Sequence, residues 1–166
     1  MKIFTLVRFF CRSVIASSIY AGFSTAVAAA PRTHCKAEEK MIFNCSFENK
    51  KTISICASHD LTSTSGSLQY RYGVVRKRIE LQYPTLTNRS SEKFSLHDST
   101  SARWHDRTVS FIVNDYSYSI LSYENINIPE NEFSVSIFKN KKRITYLNCL
   151  SNSVYDETWT LKEILK

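Results

Sequence analysis

Three His-Asp dipeptides are the residues of this chain best suited to chemistry: His59-Asp60, His97-Asp98 and His105-Asp106. An imidazole beside a carboxylate is the start of a general base or of a metal site. Adjacency in sequence works against that use. Neighbours on a strand point to opposite faces, and neighbours on a loop both face water. Trp104-His105-Asp106-Arg107, with His97 close by in the chain, is the strongest of the three clusters. The familiar nucleophile and phosphate motifs are missing: there is no G-x-S-x-G, no H-E-x-x-H and no glycine-rich phosphate loop. No Cys-x-x-Cys pair occurs, and no histidine stands at zinc-ligand spacing from a cysteine. The carboxylate pairs Glu38-Glu39 and Glu130/Glu132 lie near strand ends, where solvated turns account for them. The expectation is a protein without catalytic residues, metal or cofactor, which acts by binding.

Two stretches carry that expectation. Tyr70-Arg71-Tyr72 is followed by Arg76-Lys77-Arg78. Tyrosine and arginine are the residue types that protein interfaces use as anchors. The competing reading packs the tyrosines across strands and leaves the bases to guard a turn. The second stretch is 85–107, rich in Ser, Thr, Asn and charge and containing Trp104 and His105. A polar loop of that length inside a small domain is mobile or functional. Tyr70, Arg71, Tyr72, Arg76, Arg78, Trp104 and His105 are therefore the candidate binding residues.

The elements that must position these side chains begin after an address. Residues 1–28 read as a secretory signal peptide, with Lys2, Arg8 and Arg12 at its start, no charge over 13–30, and an Ala26-Val27-Ala28 cleavage signal. An uncleaved anchor helix is the alternative. Removal of the signal leaves 19 basic and 15 acidic residues, a net charge of +4 spread along the chain. That balance does not resemble a nucleic-acid-binding arm. It suits simple solubility, an acidic protein partner or an anionic envelope surface. Four cysteines remain, Cys35, Cys45, Cys56 and Cys149, and an even number in an exported chain implies disulfides in one of three connectivities. The implied compartment is the periplasm or the cell exterior.

Period-two alternation dominates the mature chain. Strands are expected at 41–47 and 52–58, at 67–73 and 78–83, at 108–113 and 116–123, and at 133–138 and 143–150, paired as four hairpins. A further short strand is possible at 93–96. In the first strand Met41, Phe43, Cys45 and Phe47 should share the core face. In the second, Ile53, Ile55 and Ala57 should face in and Cys56 out. Opposite faces argue against a Cys45–Cys56 bridge. The preferred pairing is Cys35–Cys56 with Cys45–Cys149. The tail from Ser153 reads as a short helix docked by Trp159, Ile164 and Leu165, or else as a last edge strand. Phe-x-Asn-Lys-Lys-x-Ile-Ser/Thr occurs at both 47–54 and 138–145, by duplication or by convergence on one turn chemistry. With only Gly66 and Gly73 in the mature chain, Asn and Asp should supply the left-handed turn positions. The fold class is all-β, an antiparallel sandwich or small barrel in a single domain over 29–166.

Phe43-Asn44-Cys45, Ile53-Ser54-Ile55-Cys56-Ala57-Ser58, Leu68-Gln69-Tyr70-Arg71-Tyr72-Gly73 and Ile79-Glu80-Leu81-Gln82-Tyr83-Pro84 together resemble a group of small exported bacterial all-β proteins of unassigned function. The resemblance covers roughly 41–84 and carries over no catalytic residue. By analogy of build, such domains are similar to periplasmic lysozyme inhibitors and immunity proteins. The expected function is an exported inhibitor or immunity protein that blocks a toxin or envelope hydrolase. The alternatives are an envelope protein that binds a surface ligand and an enzyme built on the His97/His105 region.

Overall fold

The computed structural model describes residues 32–127 and 131–165. The signal-peptide segment and its cleavage site lie outside them. Ten strands form two five-stranded antiparallel sheets: β1 Glu39–Ser46, β2 Thr52–Ser58, β3 Leu68–Gly73, β4 Ile79–Tyr83, β5 Phe94–Thr100, β6 Trp104–Val113, β7 Tyr116–Asn125, β8 Glu132–Lys139, β9 Lys142–Asn148 and β10 Tyr155–Asp156. The first sheet runs β10-β1-β2-β3-β4 and the second β5-β6-β7-β8-β9. Every pairing but β10 with β1 joins strands consecutive in the chain, because short turns bring the next alternating segment straight back. The sheets stack face to face as a sandwich. Ile53, Ile55, Leu68 and Tyr70 of one meet Val109, Phe111, Ile120 and Val135 of the other in one buried cluster.

β2 is buried on both faces although its sequence alternates. Ile53, Ile55 and Ala57 point into the core as expected. Thr52, Ser54 and Cys56 face outward, yet all are buried. The segment that follows residue 32 lies over them and is stapled there by Cys35–Cys56, with Cα atoms 5.3 Å apart. Cys45 and Cys149 form the second disulfide, Cα–Cα 5.5 Å, on the core side of β1. The connectivity is the preferred one of the two that side-chain direction left open.

Four expectations need correction. A bulge shifts the β1–β2 register between Met41 and Phe43, so Met41 pairs with outward-facing Cys56 while Ile42 is buried in the core. Residues 85–107 are not one long loop: they hold a 3-10 turn, Ser90–Lys93, all of β5 and the first part of β6. The strand expected at 93–96 is the start of β5; the rest of β5 and the start of β6 lack an apolar pattern because the inward positions near the sandwich end, Asp98, His105 and Arg107, are polar. The tail carries only 3-10 turns, Ser151–Ser153 and Thr158–Leu161, around the two-residue β10. Ser153 makes no helix cap. Its hydroxyl donates to Leu150 O and accepts from Ser46 N. Finally, among the described residues the left-handed non-glycine positions are Lys50, Arg76, Arg89, Asn114, Asn140 and Lys141, with basic residues outnumbering asparagine and no aspartate. The two echoed segments make different turns: Lys50 alone is left-handed in the first, Asn140 and Lys141 both are in the second.

Candidate functional site

The body of the β3–β4 hairpin and its tip have different fates. Tyr70 is core, its ring 4.9 Å from Phe111 and 6.0 Å from Tyr118. Burial, reinforced by neighbouring Tyr118 and Tyr72, pushes its hydroxyl well above the usual tyrosine range. Arg71 faces the other way and is also buried. Its guanidinium donates to both oxygens of Glu39 (2.5 and 2.6 Å), to His34 O (3.0 Å) and to Gln69 Oε1 (2.6 Å). Asn44 and Ser54 continue this network, and Thr33 and His34 N close it from the covering segment. Arg71 is therefore a clip for that segment and offers nothing to a partner. Tyr72 is half-buried beside Phe47. Of the predicted hairpin residues only Arg76 and Arg78 are exposed, with Lys77 between them.

The His-Asp cluster is dispersed. His97 is exposed on the outer face of β5, and His105 faces inward on β6, opposite Thr100 and Glu124. Asp106 is turned away from His105, toward Ser99 and Tyr123. His59 and Asp60 lie in an exposed turn. Half-buried Trp104 begins β6 at the same end. What the fold gathers around His105 is a latch for the tail. Arg107 donates to Thr158 Oγ1 (3.2 Å), Glu124 (3.3 Å) and Asp156 (3.4 Å). Asp156 also accepts from Ser122 and from the Thr158 N–H. Lys162 pairs with Asp98 at 3.3 Å. Hydrogen bonding from Thr100, opposed by burial and aided by Lys162, holds the Asp98 carboxyl below its usual value. His105 Nδ1 is buried without a partner. Among the described residues no three His, Cys, Asp or Glu side chains converge as a metal cage would require.

The opposite end of the sandwich holds what residue-by-residue reading missed. In each antiparallel sheet alternate turns lie at the same end. The turns at 47–51 and 74–78 share one end of the first sheet, and those at 113–116 and 139–143 share one end of the second. Asn49, Tyr72 and Glu80 border a common cavity with Tyr118, Ile137 and Thr145, so all four turns lie at the same end of the molecule. They carry Lys50, Lys51, Arg76, Lys77, Arg78, Lys139, Lys141, Lys142 and Arg143 against Glu48 and Asp115. The positive charge is thus concentrated, not spread along the chain as its balance alone implies. Three of these bases, Lys50, Arg76 and Lys141, occupy left-handed positions at φ 65°, 67° and 64°. There a non-glycine residue costs about 1–2 kcal/mol. Between the first two turns runs a groove of about 510 Å³, floored by Phe47, Val74, Val75 and Leu150 and rimmed by Arg32, Lys50 and Arg76, with Glu48 as its one acid. The geometry is an apolar floor inside a rim of three cations and one acid. The sequence signal was present in Arg76-Lys77-Arg78 and in the repeated Asn-Lys-Lys, but not the fact that they converge.

No helix among the described residues is long and apolar enough to cross a membrane. No protein-family model matches the chain, and no curated protein or solved structure is significantly similar to it.

Proposed function

We propose that this chain is an exported binding protein of the inhibitor or immunity type. Its basic turn pole docks on an acidic surface of a toxin or envelope hydrolase and blocks it. The observation that carries the reading is the convergence of nine Lys and Arg side chains on four turns at one end of a disulfide-tied sandwich. Exposed cations around an apolar groove combine long-range steering with a patch to desolvate on contact. Bases retained at left-handed positions, where glycine or asparagine would cost less, are consistent with use of their charge. Two disulfides suit the periplasm or cell exterior. The pole favours an acidic target over a cationic lysozyme. The runner-up, attachment to an anionic envelope polymer, draws on the same charge.

The test is a pull-down of the tagged mature protein from its own periplasm, beside an R76E/K77E/R78E variant. One hydrolase or toxin should be captured at fixed stoichiometry by the wild type alone. Its activity should fall when an equimolar amount of the protein is added. Retention on anionic glycopolymer with no captured enzyme would favour the runner-up. Equal capture by the charge-reversed variant would sink the role given to the pole.

A further inference from the structure

The sandwich is not sealed at its basic end. A cleft of about 570 Å³ opens there between the two sheets. Its walls are Tyr70, Tyr72 and Leu81 from one sheet and Tyr118, Val135, Ile137 and Leu147 from the other. Phe111 stacks on Tyr118 with centroids 4.8 Å apart and on Tyr83 at 5.0 Å, so the rings behind the cleft form a continuous stack. Asn49, Glu80 and Thr145 are the polar members of its lining. The volume falls within the range of small-molecule sites and exceeds what one inserted side chain fills.

The charge at the mouth narrows the occupant. Lys51 Nζ lies 5.3 Å from the Tyr72 ring centroid and pairs with Glu80 at 2.6 Å. Tyr116 and Lys139 pair two residues beyond Tyr118 and Ile137 on the same face, and Lys139 Nζ lies 5.0 Å from the Tyr116 ring. Lys50, Lys141 and Lys142 are exposed on turns at the same end of the molecule. Apolar walls with a cationic rim suit a ligand with an apolar tail and a negative head. Glu80 offsets Lys51, whereas Lys139 has no acidic partner among the described residues, so an anionic head supplies the charge that the mouth lacks. Tyr70 adds a specific feature: it is only 2% exposed and borders the cleft. Its buried ring gives the cleft an aromatic inner wall.

We propose that the intersheet cleft binds the chain of a single-chain anionic amphiphile, its tail between Leu81 and Ile137 and its head at Lys51 and Lys139. The source is a free fatty acid or a lysophospholipid with an acidic head.

The experiment titrates the mature, disulfide-bonded protein calorimetrically with laurate below its micelle concentration. Lauroyl lysophosphatidylglycerol, decyl maltoside and dodecyltrimethylammonium are the comparison probes. The expected result is saturation at one laurate or one lysolipid per protein, and the tighter of the two identifies the source. The cation should bind at least tenfold more weakly. Leu81→Lys places a charge in the wall, and Ile137→Trp fills the space while staying apolar. Each should weaken the anionic ligand at least tenfold, and the second serves if the first fails to fold. K51Q/K139Q should weaken laurate and leave decyl maltoside unchanged. Non-saturating uptake would overturn the proposal, as would equal affinity of the wild type and the folded cleft variant, or indifference to head charge. Arg76, Lys77 and Arg78 are intact in the cleft variants, so loss of amphiphile binding and loss of partner capture are read separately.

Discussion

Arg71 shows how a residue type is reinterpreted by its surroundings. Between two tyrosines it reads as an interface anchor, yet the fold spends it on Glu39, Gln69 and the His34 carbonyl. Burial works to raise the Glu39 carboxyl. Hydrogen bonds from Arg71 and the Lys36 N–H, with the charges of both side chains, outweigh it and hold the pKa below its ordinary value. A carboxyl depressed in the folded state contributes stability in full above its unfolded pKa of about 4.3. That contribution is lost as pH falls through the folded value. Lowering pH from about 6 to about 3 should therefore reduce the urea midpoint of the wild type, and more steeply than that of Arg71→Met, in which Glu39 has lost its partner. At neutral pH, Arg71→Met should cost about 1.5–3 kcal/mol, because the half-buried Glu39 carboxylate loses its charged hydrogen-bond partner and keeps only the Lys36 N–H. R71M/E39Q should recover part of that loss. Equal pH slopes for wild type and R71M would remove Glu39 from the account.

At the scale of elements, the two disulfides tie down different things. Cys35–Cys56 spans 21 residues and pins the covering segment to β2, whereas Cys45–Cys149 spans 104 and joins the two sheets. Chain entropy assigns about 3 kcal/mol to the shorter loop and about 5 kcal/mol to the longer. Urea unfolding should accordingly show C45S/C149S losing more stability than C35S/C56S. Hydrogen exchange should accelerate over 32–38 and the outer face of β2 only in C35S/C56S. The reverse order of stabilities would contradict this division of roles. Much of this level was legible beforehand: side-chain alternation placed Cys45 inward and Cys56 outward and argued against a bridge between them, and the preferred one of the two remaining pairings is the one the fold contains. The Met41 bulge was not legible, because one extra residue in a ladder leaves no mark on composition. Nor were the end of β5 beyond the short strand expected at 93–96 and the start of β6, where an ion-pair network around Arg107 takes the inward positions that an apolar pattern would have announced.

At the scale of the whole molecule, the distribution of charge counts for more than its sum. The pole carries nine bases, while Asp98, Glu124, Asp156 and Glu157 lie at or near the tail that closes the other end. R76E/K77E/R78E and K36E/K93E/R103E change net charge equally, yet only the first removes cations from the pole. On a cation exchanger at neutral pH the pole variant should elute at distinctly lower salt than its charge-matched control. Co-elution would mean that the charge acts as a uniform sum. Read along the chain, period-two alternation, cysteine parity and turn residues were enough for the antiparallel all-β class and its bridges, because each reports a local property of a pleated strand. Three features waited for the tertiary structure: the basic pole, the cleft behind it, and the burial of Tyr70, Arg71 and Arg107. Charges on four separate hairpins add, and walls from two sheets enclose space, only once the sheets stack in one particular register.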